Sequence, residues 1–194
     1  MNVQSTETDD KRTAIFTATV ELIAEKGFHG TPMSEIAEKA GVSVGTIYHY
    51  FKGKDDLILK LHIDIKERFA RALVTDDDEN MEPYQRFFNL WRNMIRHLAA
   101  NPAERAFISQ FDNSPYEKTC GSEHHFATFA RTVVFIQSGI DAGMLKPLPV
   151  IVIMEGTLAL ANAVTRLESI GLTIDDEMLK TTCKMAWDAI AKHE

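Results

Sequence analysis

Thr31-Pro32-Met33-Ser34-Glu35-Ile36-Ala37-Glu38-Lys39-Ala40-Gly41-Val42-Ser43-Val44-Gly45-Thr46-Ile47-Tyr48-His49-Tyr50-Phe51 reads as two short helices joined by a glycine turn. Thr31 suits the N-cap of the first helix and Pro32 its opening position, where a missing amide hydrogen costs nothing. That helix runs to Ala40 and stops at Gly41. Ser43 caps the second, a piece of about two turns ending near Phe51. At about 100° per residue, Ile47 and Phe51 share one face and plug a small core. Gly45 and His49 lie opposite, Thr46 and Tyr48 on the flanks, and Tyr50 near the border. A helix this short is not stable alone, and its polar side chains are surplus to the core. The pattern is that of a helix-turn-helix, whose second helix enters the major groove of double-stranded DNA.

Each surplus group has a use there. Gly45 lets the helix approach closely, Thr46 suits a base edge or a thymine methyl, and His49 can donate to a base or a phosphate. Tyr48 and Tyr50 suit phosphate oxygens, and the helix starts near Thr31, Ser43 and Lys54 offer further anion sites. The alternative is that Tyr48 and Tyr50 cap a miniature core and His49 is merely solvated.

Residues 1–10 are polar and acidic without periodicity, which predicts a disordered arm. The first helix is expected from near Lys11, with Ile15, Phe16, Thr19, Val20, Leu22 and Ile23 as its apolar stripe and Gly27 just past its end. From Asp55 a long fourth helix carries Leu57, Ile58, Leu61, Ile65, Phe69 and Leu73, then dissolves in Asp76-Asp77-Asp78-Glu79-Asn80, a candidate domain boundary. Further helices are expected at 83–100, 102–112, 122–142, 149–169 and 175–192. Val150-Ile151-Val152-Ile153 is β-branched enough for a short strand, but its apolar continuation favours a buried helix. The expected class is all-α, without internal repeats.

The 194 residues carry a net charge of -7, which looks wrong for a DNA binder. The distribution resolves this. Residues 1–75 hold 10 basic and 11 acidic side chains, whereas 76–194 hold 11 and 17. Within 26–54, Lys26, Lys39, Lys52 and Lys54 outweigh Glu35 and Glu38, so a local basic face is available. No basic leader and no membrane-length apolar run is visible, and Cys120 and Cys183 match neither a disulfide framework nor a zinc set. These features predict a cytoplasmic protein without membrane contact. Cys120-Gly121-Ser122-Glu123-His124-His125 groups four potential ligands at a spacing that fits no closed tetrahedral site, so it reads as a polar loop. Neither metal nor cofactor is expected. Nucleophile elbow, phosphate-binding glycine loop and zinc-protease motif are all missing, which argues against an enzyme.

Ala24-Glu25-Lys26-Gly27-Phe28, Gly30-Thr31, Ile36-Ala37, Ala40-Gly41-Val42-Ser43, Gly45-Thr46-Ile47-Tyr48, Tyr50-Phe51, Lys54 and Leu57 together closely resemble the N-terminal signature of TetR/AcrR-type transcriptional repressors, over residues 11 to 60. The resemblance implies a helix-turn-helix domain over 11–54, a connecting helix and acidic linker over 55–79, and a helical effector-binding and dimerisation domain over 80–194. It implies that Thr31, Ser43, Tyr48, Tyr50 and Lys54 hold the DNA backbone and that Ser34, Val44, Gly45, Thr46 and His49 sit at or near base edges. Pro32 stands where the family often has serine or threonine, which removes one phosphate hydroxyl.

The second half has no comparable motif. Phe87, Trp91, Met94, Phe107, Phe111, Phe126 and Phe129 concentrate aromatic and soft side chains over three expected helices, with His97, Gln110, Tyr116 and His125 as polar handles. They form an effector pocket, ordinary core, or both. Gly156, Ala159, Ala163 and Leu167 make a stripe of small residues on one helix, and Leu179, Cys183, Trp187 and Ile190 a stripe on the next. Two copies of this pair could form a four-helix bundle with twofold symmetry, or the stripes could pack within one subunit. The expected function is a homodimeric repressor on a palindromic operator, released by a small apolar or amphipathic effector. The alternative is a helical binding or adaptor protein that keeps the fold without operator-specific repression.

Overall fold

The computed structural model describes residues 3–119, 127–168 and 170–192. Among them are nine α-helices: α1 (Val3–Lys26), α2 (Met33–Lys39), α3 (Val44–Tyr50), α4 (Lys54–Leu73), α5 (Pro83–Ala100), α6 (Pro102–Asp112), α7 (Ala130–Asp141), α8 (Val150–Glu168) and α9 (Asp176–Ile190). A 3₁₀ turn spans Glu117–Thr119, and the sole β pairing among the described residues is an isolated bridge of Leu145 with Ala191. The all-α class therefore holds, and Val150-Ile151-Val152-Ile153 is helical. Helix α1 begins at Val3 rather than near Lys11, because extending a helix already nucleated by its apolar stripe costs little. The Cys120 to His125 stretch lies outside the described residues.

The chain divides into two compact units, residues 1–66 with 102–121 and residues 67–101 with 122–194. The first is centred on Ile15, Ile23, Ile36, Ile47, Phe51, Leu57, Ile58 and Leu61, and α6 adds Phe107 and Phe111 to the same core. Helix α6 thus belongs with α1 to α3, whereas a continuous second domain from residue 80 was expected. Gln110 on α6 donates to the Ile23 carbonyl at 3.0 Å, satisfying one of the orphan carbonyls at the end of α1, and the Tyr116 hydroxyl donates to Asp55 at 2.7 Å. Burial and the Asp55 acceptor push the Tyr116 phenol up to about 12.

Local chemistry fixes the turns. Gly27 takes φ +72° past α1, and Gly41 takes φ +66° past α2. After α2, Gly41 N–H bonds the Glu38 carbonyl and Val42 N–H the Ala37 carbonyl, the paired bonds of a Schellman motif. Asp56 closes the start of α4 by accepting from Lys52 N–H at 2.8 Å and pairing with Lys60 at 2.9 Å. The first of these bonds, then the second, holds its carboxyl below the usual carboxylate range.

In the second unit α5 packs on α8 and α9, and α7 on α8. Their core includes Phe87, Trp91, Met94, Phe135, Ile153, Ala161, Cys183 and Ile190.

Candidate nucleic-acid interface and interior cavity

Helix α3 is seated by Ile47, fully buried, with Phe51 just beyond its end. Ser43 Oγ accepts from Thr46 N–H at 3.0 Å, as the sequence suggests for an N-cap, and Ser43 also shares a hydroxyl hydrogen bond with Thr46 Oγ1 at 2.8 Å. With the inner face committed, Val44, Gly45, Tyr48 and His49 point to solvent, and Tyr48 is 55% exposed. Ser34 on α2 is exposed as well. Tyr50 is half-buried, edge-on to the His49 ring at 5.4 Å. A Cβ on Gly45 would meet only Ser43 Oγ, at 3.7 Å, so this side of α3 is open to a closely approaching surface.

Two expected backbone contacts are placed differently. Thr31 is fully buried and its hydroxyl donates to the Gly27 carbonyl at 2.9 Å, so it closes the turn after α1. Pro32 takes the N-cap position of α2 in its stead, with no side-chain cap. Lys54 gives its ammonium to the Phe28 carbonyl, and burial lowers its pKa. Lys26 and Lys39 are held by Glu35 at 2.6 Å and Glu21 at 2.9 Å. Lys52 is exposed just past α3, and among the described residues no hydrogen bond or ion pair holds its ammonium. The sequence pattern counts it in the basic face but does not select it as a DNA contact. Its place beside Phe51 was the available signal.

The second unit contains a partly open cavity of about 60 Å³ lined by Phe69, Phe87, Trp91, Met94, Phe129 and Phe135 together with apolar residues of α8. Phe87, Trp91, Met94 and Phe129 therefore come together as the aromatic pattern suggests. Phe107 and Phe111 do not, being core of the first unit, and Phe126 lies outside the described residues. Gln110 and Tyr116 are spent in the first unit as described above. His97 packs on Phe69 at 5.3 Å but does not line the cavity, and His125 is outside the described residues. The polar residues of the wall are Thr132, Glu155 and Thr157, which sequence reading did not select. Trp91 is fully buried, and its indole N–H has no acceptor among the described residues. An unpaired buried donor costs about 1 to 3 kcal/mol.

The two stripes near the C-terminus separate. On α8, Gly156, Ala159, Ala163 and Leu167 are all exposed, and Val152 extends them. On α9 the expected stripe faces the core of its own unit: Cys183 and Ile190 are buried, and Leu179 and Trp187 pack beside them, Trp187 at 5.2 Å from Phe87. Burial pushes the Cys183 thiol up to about 12. The exposed face of α9 instead carries Thr181, Lys184, Met185 and Ala189. The turn residues before α9 do not set its rotation; the aromatic wall of α5 does.

A short capped helix seated on a helical core, with its polar and small residues outward, defines a helix-turn-helix DNA-binding regulator. The comparisons give the family. Residues 15–61 match the model of bacterial regulatory proteins of the tetR family, and residues 83–191 match the tetracyclin repressor-like C-terminal domain. An HTH-type transcriptional regulator of Haemophilus influenzae is 28% identical over 180 residues, 92% of this chain and 94% of the relative. A TetR-family regulator structure from Vibrio parahaemolyticus is 31% identical with a TM-score of 0.80, covering 94% of this chain and all of the other. The Bacillus subtilis regulator FadR, solved with stearoyl-CoA, shares the fold alone, at 19% identity and a TM-score of 0.66 over 92% of this chain and 98% of its own. The chain belongs to the TetR family of transcriptional regulators.

Proposed function

We propose that the protein is a repressor that binds a palindromic operator as a homodimer in the cytoplasm and leaves it when a small amphipathic effector enters the second unit. The observation that carries this reading is the outward presentation of Val44, Gly45, Tyr48 and His49 on a helix anchored by Ile47. One such helix contacts only a few base pairs, so a dimer with its reading heads about 34 to 36 Å apart is needed for a specific site. The exposed apolar stripe of α8 supports that dimer. Helix α8 is apolar around its circumference, and the described residues leave its outer side exposed. Small side chains there allow close approach of a second copy, with Met185 and Ala189 of α9 flanking.

The cavity supports the effector. Drug-sized ligands occupy roughly 300 to 1,000 Å³, several times the 60 Å³ present. A ligand that needs a larger cavity binds an expanded state better than this one, which is the differential affinity that any population shift requires. The bound stearoyl-CoA of FadR is an amphiphile of the kind such a cavity would suit.

Two measurements test the reading. Binding to the DNA upstream of the protein's own gene should be saturable and weaken roughly a hundredfold between about 50 and 200 mM salt. The acidic net charge favours an adaptor without an operator, and absence of saturable binding would establish that alternative. Ala159→Glu should convert the dimer to monomers in sedimentation velocity, because a buried unpaired carboxylate on the twofold surface is repeated in both copies. A dimer that survives the substitution would move the interface elsewhere.

A further inference from the structure

Beside the cavity lies an antechamber. An open pocket of about 510 Å³ lies between the end of α4 and the start of α7, bounded by Glu67, Ala70, Arg71 and Val74 on one side and by residues 127–132 on the other. Phe129 and Thr132 line both volumes. Of these two the larger is Phe129, whose ring is buried and edge-on to Phe69 at 6.0 Å. A rotamer change at this one side chain would join an apolar interior to an antechamber that contains two guanidinium groups.

Those groups are held unequally. Arg71 reaches Glu67 at only 3.9 Å on an exposed helix face. Arg131, half exposed, touches the Asp77 carboxylate at 3.0 Å. Asp77 is turned inward, following Asp76 at φ +57°, and Arg86 already grips it with two bonds of 2.7 and 2.9 Å. Arg86 also lies over the Phe135 ring at 4.8 Å, on the cavity wall. If Arg131 left, Asp77 would keep its bidentate partner, so no orphaned buried charge results. An external anion can thus replace the Asp77–Arg131 contact at low cost.

We propose that the effector is an anionic amphiphile whose acid group is taken by Arg131, released from Asp77, together with Arg71, while its hydrocarbon chain passes Phe129 into the cavity beside Trp91. This rests on the effector-released reading above and adds the class of ligand, the head-group residues and the contact that ligand binding breaks. Asp77 belongs to the connection between α4 and α5, so loss of the Arg131 contact unfastens α7 from that connection. Entry of the chain would press on the same wall through Phe135.

The test uses the full chain with Trp187→Phe, which leaves Trp91 as its only tryptophan, and dibrominated stearate, whose bromines quench indole fluorescence at contact. Stearate should quench Trp91 saturably, and its methyl ester should bind roughly tenfold more weakly, the worth of one charge-assisted contact. Arg131→Ala should weaken stearate by a similar factor and leave the ester unchanged; Arg131→Lys should recover part of the loss. Far-ultraviolet circular dichroism checks that each variant is folded. Stearoyl-CoA as competitor distinguishes the acid: displacement of the probe at lower concentration than stearate identifies phosphates, at higher concentration the carboxylate. Absence of quenching, equal binding of acid and ester, or full stearate affinity in folded Arg131→Ala would overturn the proposal. Operator binding is scored separately. A protein that binds its DNA but not stearate keeps the regulator reading and loses this one, and a protein that binds stearate through Arg131 but no DNA does the reverse.

Discussion

Thr46→Ala combined with Tyr48→Phe is expected to abolish operator binding in a mobility-shift titration while the protein remains a folded dimer. The two side chains sit on the flank of α3 that the core leaves outward, and Tyr48 is among the most exposed large hydrophobic side chains of the described residues. Removing the phenol oxygen deletes a phosphate contact worth about 1 kcal/mol, and removing the threonine side chain deletes a base-edge contact worth about 1 to 3 kcal/mol. A twofold complex loses each contact twice, so the combined loss is about 4 to 8 kcal/mol, roughly a thousandfold or more in affinity. Neither change should harm the fold. Ser43 Oγ keeps its bond to the backbone N–H of residue 46, and alanine favours the helix. Both residues are uncharged, so the slope of affinity against salt should stay as in the parent protein while the affinity falls. Unchanged binding would remove α3 from the groove, and a fallen salt slope would point to a disturbed basic face instead.

The reading head was legible because its signals are local. A cap, a glycine turn and an apolar pair four residues apart are all written within 21 consecutive positions, and Ser43, Ile47, Phe51 and Gly41 stand where such spacing puts them. Errors arose where a group had two partners to choose from. Thr31 suits an N-cap by residue type, but the carbonyl of Gly27 is nearer and the side chain turns inward to it. Lys54 reads as a phosphate contact, and its ammonium also donates to the Phe28 carbonyl. The second half was legible only as helices. The stripe of Leu179, Cys183, Trp187 and Ile190 correctly marks one face of α9, and nothing in its spacing says whether that face meets its own α5 or a second chain. The aromatic cluster was likewise a sum of two cores. Phe87 and Trp91 on α5 line the cavity, whereas Phe107 and Phe111 on α6 fill the first unit. The α5 and α6 patterns are alike, and the turn at Asn101 that separates them carries no sign of which core each will join. The Arg131–Asp77 contact spans 54 residues, and no periodicity announces a pair at that distance.

Phe107→Ala separates those two cores by experiment. The ring is fully buried in the first unit, edge-on to Phe28 at 5.8 Å and tilted against Phe111 at 6.1 Å. Truncation removes a full aromatic side chain from a close-packed site, and such deletions cost about 3 to 5 kcal/mol through lost transfer energy and the cavity left behind. Against the roughly 5 to 15 kcal/mol that holds a domain folded, that is a large fraction. Urea titration should therefore show a much lower midpoint with an unchanged slope. The surrounding groups give little room for collapse, because α6 is pinned to α1 by the Gln110 bond to Ile23 and to the start of α4 by the Tyr116 bond to Asp55. Were Phe107 instead a wall of the effector site, its loss would enlarge that site, change ligand preference and cost little stability. The core assignment predicts the opposite pair of results at a temperature where the variant is folded: a large loss in urea midpoint, and an affinity for brominated stearate at Trp91 equal to that of the parent. A stable variant with altered stearate affinity would transfer Phe107 to the cavity and with it the division of α5 and α6 between the two units.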